Sequence, residues 1–329
     1  MATTAASITK IVIVFCENHT YDNLCSDVLG GDGDTSLPLG PDKPKDQSHG
    51  HAAWMTRATT ATRTRYTRSQ LPGLYQLMDT YTVCDRYFTD VTSNSFPNHA
   101  FAIGADAEGA ITNPRTGTAP FLKYPGVPTR LAAAGHSWAN YGHGFAFAYY
   151  QDPTMHINAH PADQVVTDAN AGTLPDVSWV YPPGGLTFHP ASSTMSASDR
   201  WLHHTVTAIA AGKLPNGQPL WPELAIFVTF DDWGGYTDHV TPPVTDRLAN
   251  HDPYRYGSRV PCVVVSPYAK PRHVSHTVSS HTSLVAFIER TFHLPPSPNP
   301  AARARTTTPT EVAMADTIDL AQPHLPPPT

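Results

Sequence analysis

The sequence predicts an α/β protein with a mostly parallel central sheet and helices on both faces. Three observations carry that expectation. Continuous apolar runs of strand length occur at 10–16 (KIVIVFC), 224–230 (LAIFVTF) and 261–266 (PCVVVS), and such runs mark strands buried on both faces. Segments with helical signals lie between them, the alternation that builds parallel sheets. Polar clusters rich in Asp, Glu, Ser and His stand directly after the strands, where open α/β sheets place their ligands.

Taken in order, the apolar run 10–16 is the first strand. Residues 17–55 are rich in Gly, Asp, Pro and His and read as a long functional loop. A helix is expected near 69–80, a strand near 82–86, and a helix after Pro97, since proline suits a first helical turn. Segment 128–134 reads as a helix ended by Gly135, with a strand at 137–141 and another at 177–181. Ser198 is expected to cap a helix running to about 211. The runs 224–230 and 261–266 are strands, and a helix capped near Ser280 carries LVAFIERTF at 284–292. Residues 1–294 are therefore read as one domain and the Pro-rich stretch 295–329 as a wrapping or loose tail.

Composition excludes several classes. The chain of 329 residues carries 21 Lys+Arg against 27 Asp+Glu, a net charge of -6, without the basic stripe that phosphate neutralisation requires, so no nucleic-acid partner is expected. The apolar runs fall well short of the roughly 20 residues of a membrane-spanning helix, so no integral membrane segment is expected. The first nine residues lack a basic start and an apolar stretch; a cytoplasmic protein is expected, or a secreted one whose signal has been removed. The four cysteines show no CxxC spacing and are expected as buried free thiols.

Three clusters carry chemistry. Glu17-Asn18 follows the first strand and offers hard oxygen ligands for a divalent cation. Asp231-Asp232 follows LAIFVTF and continues as DDWGGYTDHVTPP; adjacent carboxylates repel unless something positive lies between them. Ser95, in TSNSFPNHAF, sits where a helix is expected to begin, and a helix N-terminus favours anions. Each has a plainer reading, as solvated loop acids or an N-cap serine. Their coexistence in one chain favours the chemical one.

ENHTYD (17–22), SNSFPNH (93–99) and DDWGGYTDHVTPP (231–243) resemble the opening, nucleophile and acidic segments of the bacterial phospholipase C and acid phosphatase phosphoesterases, within the alkaline phosphatase superfamily. LPDVSWVYP (174–182), His189-Pro190, YGSRVPCVVVSPYA (256–269) and HTSLVAFIE (281–289) follow in that family's order, so the likeness spans roughly residues 10 to 293. It implies an alkaline-phosphatase-like fold over 1–294 and a metal-dependent phosphoric ester hydrolase. Glu17, Asn18, Ser95, Asp231 and Asp232 would bind one divalent cation, Mg²⁺, Ca²⁺, Mn²⁺ or Zn²⁺. Ser95 would be the nucleophile, His189 or His239 would protonate the leaving oxygen, and His49 and Asn98 would contact a small-molecule phosphate ester. His51 rivals His49 in the same loop. Two positions depart from the pattern: His19 stands where arginine is usual, and Asp232 where glutamate is commoner.

The separate β-domains of larger phospholipases C have no counterpart here, so a soluble phosphatase is expected ahead of a phospholipase C acting on lipid head groups. A non-catalytic, metal-stabilised binding module is the reading of another class. GHSWA (135–139) nearly matches a serine-hydrolase elbow, but Ser137 precedes its strand instead of following one. The aromatic clusters FAFAYY (145–150) and Trp179-Tyr181 are expected as packing.

Overall fold

The protein is described by a computed structural model covering residues 8–247, 253–307 and 313–329. The first seven residues, read above for an export signal, lie outside the described residues. In chain order the strands are β1 (Lys10–Cys16), β2 (Thr82–Cys84), β3 (Tyr87–Phe88), β4 (Trp138–Tyr141), β5 (Ala159–His160), β6 (Val177–Val180), β7 (Leu224–Phe230), β8 (Val244–Arg247), β9 (Pro253–Arg255), β10 (Cys262–Val265), β11 (Val274–Ser275) and β12 (Ser279–Ser280). Eight of them form one sheet in the order β11-β2-β10-β7-β1-β6-β4-β5, with β3/β12 and β8/β9 as small separate ladders.

The run β5-β4-β6-β1-β7 is parallel, and β10 lies antiparallel between β7 and β2. Strands β1 and β7 are the centre, in register from Lys10–Leu224 to Cys16–Phe230. Their apolar side chains from Ile11 to Cys16 and from Leu224 to Val228 are completely buried, each stabilising the fold by about 1.5–3 kcal/mol for residues of Val, Ile or Phe size.

Helices α1 (Tyr21–Cys25), α2 (His51–Met55) and α3 (Arg57–Thr60) are short turns within the expected loop. They are followed by α4 (Pro72–Thr80), α5 (Ser95–Gly104), α6 (Val127–Ala133), α7 (Gln164–Ala171), α8 (Met195–Ala210), α9 (His281–Thr291) and α10 (Pro300–Thr306). They form two packed groups, α4 with α8 and α7, and α5 with α6, α9 and α10, which cover a sheet buried on both faces. Helix α9 starts at Ser280 through reciprocal bonding with Ser283, as expected.

One expectation is corrected and one is narrowed. Helix α8 starts at Met195 with Thr194 as its N-cap; the Ser198 hydroxyl lies inside the helix and accepts from the Phe188 amide (3.1 Å). The tail wraps and is not loose. Ala302 and Met314 join the core, the Trp221 indole donates to the Leu325 carbonyl (2.7 Å), and the Tyr81 hydroxyl donates to that of Pro326 (2.7 Å). The four cysteines are free and buried. No helix among the described residues is long and apolar enough to cross a membrane.

Candidate active site

The register of β1 with β7 builds the site. Because Cys16 pairs with Phe230, the next residues on each strand, Glu17 and Asp231, leave the same sheet edge side by side. The Asp231 amide donates to the Cys16 carbonyl (3.0 Å), and the Asn18 amide donates to Asp231 Oδ1 (2.9 Å). Asn18 takes a left-handed φ of 66°. It packs so closely under the Gly-Gly turn that a Cβ on Gly234 would fall 1.9 Å from its carbonyl oxygen, so only glycine fits there. The Gly234 amide donates to Asp232 Oδ1 (2.7 Å).

Ser95 is the first residue of α5, and its hydroxyl donates to Asp232 Oδ2 (3.2 Å). Pro97 falls in the first turn, so the helix begins two residues before it. Asn98, expected to contact substrate, instead spends its amide on the loop before the helix: Oδ1 accepts from the Val91 amide (2.9 Å), and Nδ2 donates to the Asn94 carbonyl (3.2 Å). It fixes the segment that presents Ser95.

His189 is brought in by the chain after β6, where the Glu17 amide donates to the Thr187 carbonyl (2.9 Å). Its Nε2 lies 3.9 Å from Glu17 Oε2. Asp46, His49 and His189 place one ligand atom each within 4.8 Å of one another, and the Trp233 indole donates to the His49 carbonyl (2.6 Å). His49 therefore faces the site, whereas the His51 ring is engaged with Thr92.

His239 does not join this group. Its Nδ1 lies 2.8 Å from Asp22 Oδ2 and its Nε2 3.2 Å from Asp32 Oδ1, within a second cluster where Arg259 pairs with Asp22 and Asp238. The DHV step that suggested a catalytic histidine places its ring among structural carboxylates.

Sequence reasoning missed His99 and Asp46. His99 Nε2 lies 3.3 Å from Asp231 Oδ2, with both residues buried. It stands four positions after Ser95 on α5, the spacing that shares a helix face, and that signal was available. His281, at the start of α9, places Nε2 2.9 Å from the Asp231 carbonyl. His19, in place of the usual arginine, stacks on Tyr236 (4.8 Å) and reaches the Phe188 carbonyl (3.0 Å) beside His189. Burial drives the imidazoles of His19 and His281 down to about 4, so both are neutral.

The carboxylates of the site are crowded and electrostatically unlike one another. Glu17 is pushed up to about 8 by burial, then by Asp231 and Asp46. Asp232 is raised well above the carboxylate range by burial, Asp231 and Glu17. Burial pushes Asp231 up as well, but His99, Ser95 and the Asn18 amide outweigh it, holding its carboxyl down at about 2. Both side-chain amide atoms of Asn18 are buried without a hydrogen-bond partner, and Asp231 Oδ2 faces His99. Crowded carboxylates, an orphaned amide and a serine hydroxyl make an oxygen-donor set that suits a hard divalent cation. Ser137, by contrast, precedes β4, and its hydroxyl accepts from the Asp176 amide (2.9 Å), so the elbow reading has no support.

The chain is similar to known proteins over most of its length. Phospholipase C A of Mycobacterium tuberculosis is 30% identical over 283 residues, covering 70% of this chain and 52% of that protein. The non-hemolytic phospholipase C of Burkholderia pseudomallei is 26% identical over 400 residues, covering 88% and 56%. The chain thus spans about half the length of these relatives. The crystal structure of Ps i-CgsB shares the fold at a TM-score of 0.55 and 10% identity, over 96% of this chain and 78% of that one. The model of the Phosphoesterase family matches residues 44–295, a span holding Ser95, His189 and both aspartates of the strand-end cluster, and the chain belongs to that family.

Proposed function

We propose that this protein hydrolyses phosphoric esters with Ser95 as nucleophile and a divalent cation held by Glu17, Asn18, Asp231 and Asp232. The observation that carries the reading is the meeting of the Ser95 hydroxyl with Asp232 at 3.2 Å, in a site that also holds Asp231 and the orphaned side-chain amide of Asn18. A bound dication would lower the pKa of the serine hydroxyl and offset negative charge on the phosphoryl oxygens. The need is large: accelerations approaching about 10²¹ are known for phosphate monoesters, while a positioned general base supplies only about 10² to 10⁴.

The residues divide the work. Ser95 Oγ attacks phosphorus as its proton leaves toward Asp232; the Oγ–P bond forms and the P–O bond to the leaving group breaks. The departing oxygen takes a proton from His189, which stands at the edge of the cluster beside Glu17. Water then gives a proton to His189 and attacks phosphorus, the Oγ–P bond breaks, and Asp232 returns its proton to Oγ, restoring the serine hydroxyl. His49, next to His189, faces the phosphoryl oxygens. Asn98 and the Trp233–His49 contact hold these groups in place.

The relatives are phospholipases C, and a phospholipid presents the same phosphoryl centre, so phosphatidylcholine belongs in the substrate panel beside soluble esters. The test is phosphate release from an aryl phosphate with Mg²⁺, Mn²⁺, Ca²⁺ or Zn²⁺ supplied singly. Ser95→Ala is expected to lose at least about 10³-fold in turnover while keeping the wild-type circular dichroism, and chelation is expected to abolish activity. A Ser95→Ala protein that turns over normally removes the nucleophile assignment. A wild type inert with every ester and cation leaves the binding-module reading.

A further inference from the structure

The aromatic run 145–150 departs from simple packing at one residue. Phe147 and Tyr150 are buried, but Phe145 is 38% exposed. It opens the turn Phe145–Tyr149 just after β4. Since β4, β6, β1 and β7 are parallel, that turn emerges on the same sheet edge as Glu17, His189 and Asp231. The Phe145 ring lies 5.1 Å from that of His99 and 6.0 Å from that of Phe96. Phe96 directly follows Ser95, and His99 contacts Asp231, so one exposed ring borders the nucleophile helix at two points.

The backbone carrying this ring is fixed. His143 adopts a left-handed φ of 57°, and a Cβ on Gly144 would fall 2.1 Å from the Tyr181 ring. The Gly144 amide donates to the buried Asn140 Oδ1 (2.9 Å). Backbone strain of this kind persists only where the surroundings over-determine it, and it concentrates at functional sites. Phe145 also lines a groove of about 260 Å³, together with Phe147, Met155, His143 and His156 among others. No carboxylate, ammonium or guanidinium lines that groove; its polar side chains are Asn140, His143 and His156, beside the apolar surface of Phe145, Phe147 and Met155.

We infer that Phe145 and this groove form the leaving-group subsite, and that they select phosphoric esters whose leaving group is a single apolar ring or a short alkyl chain. The inference rests on the hydrolase reading above. Small-molecule pockets ordinarily hold roughly 300–1,000 Å³; this groove falls just below that range, enough for one ring and too little for the two acyl chains of a diacylglycerol.

The test compares kcat/KM for phenyl phosphate with kcat/KM for glycerol 2-phosphate in the wild type, Phe145→Ala and Phe145→Tyr. The phenyl-to-glycerol ratio is expected to fall about tenfold in Phe145→Ala, as loss of one ring contact implies, and to return in Phe145→Tyr. A ratio unchanged within twofold overturns the subsite and leaves the hydrolase reading standing. A second arm does not depend on turnover: calorimetric binding of phenylphosphonate against methylphosphonate in excess Mn²⁺. A wild type that hydrolyses neither ester, yet prefers phenylphosphonate about tenfold through Phe145, keeps the subsite while the hydrolase reading falls. No preference in either arm overturns the inference.

Discussion

Two buried clusters of carboxylates lie in this molecule, and they are built on opposite plans. Around Arg259, Asp22 and Asp238 are completely paired: the guanidinium donates to Asp238 Oδ1 (2.8 Å) and Asp22 Oδ1 (3.0 Å), and to the carbonyls of Asp32 and Asp85. His239 bridges Asp22 to Asp32, and Arg86 takes the other oxygen of Asp32. Around Ser95, Glu17, Asp231 and Asp232 crowd together with no arginine or lysine ion pair among the described residues; His99 faces Asp231 Oδ2, and the side-chain amide of Asn18 is buried without a hydrogen-bond partner. One cluster brings its own cation and is a brace. The other does not, and on the function proposed above it would receive one from solution.

The sharpest way to break this contrast is to remove the resident cation. Arg259→Met leaves Asp238 buried without its cation and Asp22 with His239 alone, and is expected to cost about 3–5 kcal/mol in urea unfolding. A loss below about 1 kcal/mol would show that the brace is not held by its arginine. At the other cluster the sign reverses. Asp232 is the carboxylate whose charge burial, Asp231 and Glu17 oppose, so in chelator Asp232→Asn is expected to unfold at a higher temperature than the wild type. Saturating divalent cation should then stabilise the wild type by about 2.7 kcal/mol at a hundredfold excess over Kd and leave Asp232→Asn nearly unmoved. Equal responses of the two proteins in a thermal melt would refute the ion site.

The smallest effect concerns pH. Burial lowers the affinity of His239 for its proton, but hydrogen bonding and charge from Asp22 outweigh it, so the folded imidazole sits above its usual 6.5. A histidine raised in the folded state stabilises fully below the unfolded value and loses that contribution as pH climbs through the folded one. The melting temperature of the wild type, minus that of His239→Gln, should therefore shrink as pH rises above 6.5. A difference independent of pH would mean that the bridge to Asp22 and Asp32 does not depend on protonation.

Much of this plan was legible in the chain. Continuous apolar runs fixed β1 and β7 to the residue, because strands buried on both faces admit few polar interruptions. Those boundaries in turn placed Glu17 and Asp231 at adjacent strand ends. Less legible were choices made by tertiary contact. Ser198 looks like a helix cap, but Phe188, ten residues away, claims its hydroxyl. Arg259 and Asp22 are 237 positions apart, and nothing local in either marks the other. His239 follows a glycine turn that points toward the strand-end acids in sequence, whereas its ring is drawn away by Asp22. His99 was the avoidable omission, since four residues on a helix is a distance that periodicity shows.

The tail also guards the sheet. Strand β11 lies at one edge, and Asp316 ties it down by accepting from Ser275 (2.8 Å) and pairing with Lys270 (2.9 Å), while Ile318 bridges to Ala269. Unpaired strand edges are templates for other chains. Shortening the polypeptide at residue 295 would accordingly create a protein that retains its catalytic groups but recruits neighbours edge to edge, and its failure would be seen as turbidity long before it was seen as lost turnover.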